Sequence, residues 1–478
     1  MQRARLYIIF IVILGMISIH SAEALEFERT GVQGPRRLDF EGHVGGSPVD
    51  SLQAGANQGQ GVQEKGSRMA FTLQYRPRSE YRNGYKKPMS DSLTPAFITN
   101  QRSRIGLTYS TSHFRSRVSF QDVRTWGESR IKRDISTFLL HEAWFEWYLS
   151  SSFSVKVGRQ VLKYDEQRLL AACNWNNVGS THDMALLQYE KPDYHLHLGM
   201  AYNNDRNKLS ESYYDFASSY YKALQFFSAS RQFSDQLEVS LLEIADGHQQ
   251  PTGSGLYWRL TTGINVDYHS DNDRLKLMGK SYWQGGQNQH GRQIRAYFWA
   301  LKASYALGDF RVIAGMDYFS GDNQLDTTDQ TINAFNNLYG SGHGYYGSMD
   351  YFTTIDQHTN GGGLRDIHLG LSYTFNPGLS ARITYHHFAL TGKVRDPTYQ
   401  GPEPRALDAS LGSEIDFSLK YHFSDEFSLK AGYSAMVAID NLCAIKGGDP
   451  NQPANWGFVM LQFNPQIFIN SFIQKNSQ

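Results

Sequence analysis

Between Gln101 and Arg124 polar and apolar residues alternate at every second position. Arg102, Arg104, Gly106 and Thr108 share one parity, and Ile105, Leu107 and Tyr109 the other. The run Ser110-Thr111-Ser112-His113 then predicts a turn. Beyond it Arg115, Arg117, Ser119 and Gln121 oppose Phe114, Ser116, Val118 and Phe120. The preceding segment repeats the scheme, with Thr72, Gln74, Arg76, Arg78, Glu80 and Arg82 against Phe71, Leu73, Tyr75 and Tyr81. Successive side chains of a strand point to opposite faces. This period therefore predicts consecutive strands with one arginine-bearing face and one mostly apolar face.

Strands of the same kind recur down the chain. His195 and His197 alternate with Tyr194, Leu196, Leu198 and Met200, and Arg259, Thr261 and Asn265 with Trp258, Leu260 and Ile264. His368 alternates with Ile367 and Leu369, and Glu414, Asp416 and Lys420 with Ile415, Phe417 and Leu419. Around 220–230 and 295–306 the alternation fades. Short links fall at 110–113, 150–152, 190–193, 230–234, 269–273, 307–309, 376–378 and 424–426. Several have turn chemistry, such as Lys191-Pro192-Asp193 and Asn376-Pro377-Gly378. Longer loops separate them, among them 161–182, 203–219, 245–255, 320–365, 390–412 and 439–455. Alternating short and long links are the mark of an outer-membrane barrel, with short periplasmic turns and long extracellular loops. The expected fold class is all-β: a closed antiparallel transmembrane β-barrel of about eighteen strands, wide enough for an aqueous channel.

Magnitudes favour that reading over a soluble sheet. An arginine at the lipid midplane costs ~2–4 kcal/mol. Arg76, Arg78, Arg104, Arg115 and Arg117 turned to lipid would approach the whole stability of an ordinary domain, ~5–15 kcal/mol. Turned to a wet lumen, they cost little. Composition adds less. With 46 basic and 46 acidic residues among 478, nothing global points to nucleic acid. The 29 Tyr and 28 Phe suit aromatic girdles. Residues 1–24 read as a signal peptide, with Arg3 and Arg5 before an apolar run and Ala22-Glu23-Ala24 as the cleavage site. Residues 25–67 read as a flexible Gly/Gln-rich leader, and 68–478 as the barrel.

The chain is neutral, yet the expected lumen face is basic. It carries Arg76, Arg78, Arg82, Arg102, Arg104, Arg115, Arg117, Lys156, Arg259 and Arg382, against fewer acids such as Glu80, Glu142 and Glu146. Fixed guanidinium groups lower the barrier to anions and offer planar, two-pronged donors for carboxylates. The plainer alternative is that these acids and arginines pair in a static network. Other signals are weak. Gly342-His343-Gly344-Tyr345-Tyr346-Gly347 lies in a long loop without the strand and helix a dinucleotide site needs. Asp322, Asp326 and Asp329 miss the calcium-loop spacing and read as solvated loop acids. His195 and His197 read as lumen residues, and no metal or cofactor is expected. Cys173 and Cys443 fall in loops on one side, with pairing left open. A hydrolase lacks its motif, since there is no GxSxG and no Ser/His/acid set at one place; an adhesin or receptor acting through loop 320–365 is a further reading.

Gly158-Arg159-Gln160, Tyr164, Arg168-Leu169, Trp175-Asn176-Asn177, Gly179 and Asp183 follow one another in an order that resembles the alginate export porin family. Ser320-Gly321-Asp322, Phe335-Asn336-Asn337-Leu338-Tyr339-Gly340, Met349-Asp350-Tyr351-Phe352 and Gly412-Ser413-Glu414-Ile415-Asp416 extend the match. The resemblance implies an outer-membrane barrel whose arginine-rich constriction passes anionic uronate polysaccharide outward. It marks Arg76, Arg104, Arg117, Arg159 and Arg168 as candidate selectivity residues, and loop 161–182 as a gate at the outer mouth. Two features depart from the family pattern: Met184-Ala185-Leu186-Leu187 offers no basic residue after Asp183, and the link 424–426 is short where the family's alginate exporter has a long plugging turn. The expectation is a porin, not an enzyme, passively conducting an anionic solute, foremost an acidic, alginate-like polysaccharide or oligosaccharide for export. The alternative is uptake of small anions such as sugar acids. Expected partners are outer-membrane lipid, the anionic saccharide and periplasmic export proteins, without nucleic acid.

Overall fold

The structure is a computed structural model that describes residues 66–129, 138–211, 213–214 and 220–473. The signal-peptide and leader expectations lie outside these residues, apart from the leader's last two positions. The strands begin with β1 (Gly66–Asn83), β2 (Ala96–Ser110), β3 (Phe114–Thr125), β4 (Leu139–Tyr148), β5 (Phe153–Gln160), β6 (His182–Glu190) and β7 (Tyr194–Tyr202). They continue with β8 (Ala223–Ser234), β9 (Leu237–Gln249), β10 (Leu256–His269), β11 (Leu275–Gln287), β12 (Gln293–Leu307) and β13 (Phe310–Phe319). After a short helix α1 (Ile355–His358) come β14 (Leu364–Asn376), β15 (Leu379–Ala389), β16 (Ser410–His422) and β17 (Phe427–Ala438). A second helix, α2 (Asp440–Lys446), precedes β18 (Ala454–Phe463) and β19 (Gln466–Ile473).

From β1 to β18 each strand pairs antiparallel with its sequence neighbour, and β1 pairs along its other edge with β18 and β19. The sheet thus closes, leaving no unpaired edge in hydrocarbon. Tyr75 stands opposite Phe463 and Thr72 opposite Gln466, so one register runs across the gap between β18 and β19. They are halves of one stave, interrupted at Pro465, which has no backbone N–H to give the ladder. The nineteen segments therefore close as 18 staves.

Alternation sorts the two faces as the sequence pattern requires. Ile105, Leu107, Val118, Leu198, Ile264, Leu369 and Phe417 are exposed on the outside, whereas Arg102, Arg117, Thr261 and Glu414 are buried within. Next to the short turns the outer face carries touching rings: Tyr109, Phe114 and Phe145; Phe153, Tyr189 and Tyr194; Phe310, Tyr373 and Phe375; Tyr421, Phe423 and Phe427. Amphipathic rings at headgroup level are the girdle of an outer-membrane barrel.

Most expected turns hold to within a residue at each end, but several strands outrun the reading. β8 stays paired through Arg231 and Gln232, moving the turn from 230–234 to 235–236, and β9 extends to Gln249. The ends of both strands are polar, so lipid imposes no alternation that would mark where pairing stops. The faded alternation at 295–306 has another cause. Ile294, Ala296, Phe298 and Ala300 of β12 point inward yet are apolar, because they pack against a loop folded into the barrel. Leu224 and Phe226 of β8 do the same.

Candidate functional site: an arginine ladder and two inserted loops

β1, β2 and β3 set their inward residues in rows. Arg76 faces Arg102, Gln74 faces Arg104, Arg104 faces Gln121, Thr108 faces Arg117 and Ser110 faces Arg115. Inward rows recur every two residues, ~7 Å apart along a strand. Arg76, Arg78, Arg102, Arg115 and Arg117 are all at most 8 % exposed. Side-chain acceptors hold part of this ladder. Arg117 donates to Glu142 Oε2 at 2.8 Å and to Thr108 Oγ1 at 3.0 Å, and Arg104 donates to Gln121 Oε1 at 2.7 Å. Glu80 takes Arg78 at 2.9 Å and Arg82 at 3.0 Å, while Glu146 accepts the Ser154 hydroxyl at 2.9 Å.

The upper rungs hold a loop instead. Residues 161–181 fold against this wall and present a row of backbone carbonyls to it. Arg76 donates to the Asn174 carbonyl at 2.6 Å and the Asn176 carbonyl at 3.0 Å, and Arg78 to that of Trp175 at 2.8 Å. Arg102 reaches Asn174 Oδ1 at 2.8 Å and the Asn177 carbonyl at 3.3 Å, and Gln121 reaches the Val178 carbonyl at 2.9 Å. Neutral oxygens thus occupy donor positions that suit carboxylates. The Arg78 guanidinium lies 4.1 Å above the Trp175 ring, which also stacks on His343 at 4.0 Å and meets Phe458 edge-on at 5.0 Å. The loop enters this position through Asp165, Glu166 and Gln167, all left-handed at φ 47°, 53° and 66°. Non-glycine residues hold that conformation only when their surroundings impose it. Ser240 and Tyr282 do so at Asp165, donating at 2.9 and 2.6 Å, and the Ser341 N–H does so at the Gln167 carbonyl at 2.9 Å.

The second insertion, within loop 320–363, spans the lumen. Tyr339 donates to Asp246 of β9 at 3.0 Å, and Gln284 of β11 donates to the Asn336 carbonyl at 3.1 Å. Glu414 of β16 accepts the Met349 N–H at 2.8 Å, and Asp416 accepts that of Ser348 at 3.2 Å. Phe335, Met349, Tyr351, Phe352 and Ile355 are buried completely in the resulting core. Glycine permits the closest approaches. A Cβ at Gly342 would lie 2.3 Å from the Thr353 backbone, and one at Gly347 (φ 79°) 2.5 Å from Glu414.

The structure therefore sorts the expected residues. Arg76, Arg78, Arg102, Arg104, Arg115, Arg117, Glu142 and Glu146 share the inner wall of β1–β4. Arg82 is one-third exposed near the upper rim. Arg382 is half-buried on the inner face of β15, opposite Ser372 and Ser418. Arg259 faces inward but is clamped by Asp246 through bonds of 3.0 and 2.6 Å, which also fixes Tyr339. Arg168 belongs to an inserted loop, where it bonds Asp317 at 2.9 Å and lies 3.7 Å above the Tyr345 ring. Burial opposes its charge, but Asp317, Tyr346 and Tyr345 hold its guanidinium well above the ordinary value. Arg159 is a correction: it turns outward and pairs with exposed Asp183 at 2.7 Å. It lies three positions from inward Lys156, and odd spacing changes the face. The loop's position is also different from that of a cover over the mouth, since it lies against the inner wall.

Sequence reasoning missed the acceptors. Asp246, Glu414, Asp416 and the carbonyls of 174–178 seat the loops, a role that neither the alternation nor the family-like motifs reveal. Asp366, His368 and His386 also meet on the wall, which needed cross-strand register to see. Cys173 and Cys443 are both free, and burial pushes each thiol upward in pKa. Asp322 accepts the N–H groups of Asn333 and Ala334, while Asp326 and Asp329 cap turns at Thr328 and Thr331.

A family model described as alginate export matches residues 67–446. Comparison with curated protein sequences finds no match. Among solved structures, the chain is similar to outer-membrane protein OpdK of Pseudomonas aeruginosa at 11% identity, covering 84% of this chain and 99% of that one, with a TM-score of 0.56. OccAB1 of Acinetobacter baumannii is similar at 14% identity, covering 86% and 99%, with a TM-score of 0.57. OccK3 (OpdO) of P. aeruginosa shares 16% identity over 85% and 98%, with a TM-score of 0.55. These likenesses are of fold.

Proposed function

Because this chain belongs to the alginate export family, we propose that its barrel passively conducts an anionic solute across the bacterial outer membrane. The favoured solute is an acidic, alginate-like polysaccharide or oligosaccharide moving outward. One observation carries this reading: the buried arginine ladder on β1–β3, whose upper rungs hold carbonyl oxygens of 174–178. Arg76, Arg102 and Arg104, held by neutral acceptors, keep a positive field, and a uronate carboxylate fits the same forks. An acidic chain would exchange with these carbonyls rung by rung, each a weak site it can leave.

The second reading is passage of small anions such as sugar acids. The inserted loops favour it, because Tyr346, Phe335 and Phe352 pack in the lumen and a polymer would have to displace them. Planar-bilayer recording separates the two. A polymer path predicts that short oligouronates interrupt the current with dwell times that grow with chain length. A small-anion path predicts block by monouronate alone, with no length dependence. Arg104→Glu with Arg117→Glu should move the reversal potential toward cations under either reading. An unmoved potential would remove the ladder from the conduction path.

A further inference from the structure

Beneath residues 346–349 of the inserted loop, adjacent strands gather imidazoles and carboxylates on the inner wall. β14 supplies Asp366 and His368, β15 supplies His386, and β16 supplies Glu414 and Asp416. His368 stands directly across from His386, and His386 directly across from Glu414. All five residues face inward and are at most 9 % exposed. One ligand atom from each of Asp366, His368 and His386 lies within 4.8 Å of the others. His386 Nδ1 is 2.9 Å from Asp366 Oδ2, and His368 Nδ1 is 3.6 Å from that same oxygen. Across the ring, His386 Nε2 is 3.7 Å from Asp416 Oδ2.

Three further observations point to a ligand. His368 Nδ1, Asp416 Oδ1 and Glu414 Oε2 are buried without a hydrogen-bond partner, an arrangement that costs stability unless something fills it. The group is also rich in ligand oxygens: Asp366 and Asp416 flank the two nitrogens of His386, and Glu414 and Asp416 accept the N–H groups of Met349 and Ser348. Lastly, the wall makes room for the imidazole: a Cβ at Gly315, opposite His368, would sit 2.4 Å from His368 Nε2.

We infer that this wall carries a site for one divalent transition cation of the zinc class, ligated by Asp366, His368 and His386, with Asp416 set against the far nitrogen of His386. Two imidazole nitrogens with carboxylate oxygens are the donor set that zinc takes, whereas calcium and magnesium prefer oxygen alone. Asp416 and Glu414 also hold the loop at Ser348 and Met349, so a cation here ties barrel wall to insertion. The site is independent of the solute that crosses the lumen.

The test uses the folded, tag-free barrel in detergent, stripped with a chelator and titrated with zinc chloride by calorimetry. The expected result is one zinc per chain, with an apparent unfolding temperature that rises on loading. His368→Ala should weaken binding by at least about tenfold, while His197→Ala, a lumen histidine elsewhere on the wall, should leave it unchanged. Absence of zinc binding, or equal affinity in the parent and His368→Ala, overturns the site and leaves a plain histidine–carboxylate network. Should His368→Ala not fold, cobalt titration of the unmodified protein decides. A saturable visible absorption band at one equivalent supports an ordered nitrogen–oxygen site, and its absence rejects one.

Discussion

A side chain added at Gly106 would place its Cβ 2.9 Å from Arg117 Nη2 and 2.7 Å from Thr72 Oγ1. The glycine is thus the seat of a guanidinium that reaches up the wall toward Glu142 and Thr108. Gly106→Leu should destabilise the barrel by about 1–3 kcal/mol through overpacking, read as a lower denaturant midpoint for unfolding in detergent. An unchanged midpoint would mean that Arg117 is not held there. The direction of each ladder arginine was legible, because parity within a strand is arithmetic. The same arithmetic places Arg159 outside once Lys156 is inside, although the family resemblance had put it among the selectivity residues. What each arginine touches was not legible. Arg76 meets Asn174 across 98 positions, a contact that depends on how loop 161–181 folds and not on any local pattern.

At the scale of elements, the inserted loops explain most of what the pattern hid. β12 is apolar on both faces in its upper half because one face meets lipid and the other a protein core, so the period of two disappears just where the loop packs. Residues 174–178 are held to the wall largely by charged donors, which makes their release predictable. Hydrogen bonds from a charged donor contribute about 1.5–3 kcal/mol each. Arg102→Ala should therefore loosen residues 174–178, giving larger and noisier single-channel conductance and faster proteolysis within 161–181. Arg102→Lys keeps the charge but not the planar fork, so it should restore selectivity without restoring the loop's protection. Equal protection in all three proteins would contradict the anchoring role.

Acid should act on the second insertion. His358 ends α1, and burial, then Lys446 and Lys86, push its imidazole down to about 4. The neutral form is the one the folded loop accommodates. Its contribution to stability is complete above the ordinary histidine value of ~6.5 and is lost as pH falls from there through about 4. Hydrogen exchange around 353–362, corrected for intrinsic rate, should show constant protection above ~6.5 and declining protection below it. Stronger protection on acidification would contradict this.

At the scale of the molecule, closure and sidedness were written in link lengths: short and long connections alternate because one side only needs to reverse the strand. The break at Pro465 shows how little a single missing donor matters once the register with β1 continues on both sides. The lumen is lopsided in a way that net charge conceals, with arginines gathered on β1–β3 and apolar inward rows on β6, β8 and the upper half of β12. This positive field is the central claim. The most direct measurement is the sign of the reversal potential of the unmodified channel in a potassium chloride gradient at neutral pH. The arginine ladder predicts a preference for chloride; a preference for potassium would contradict it.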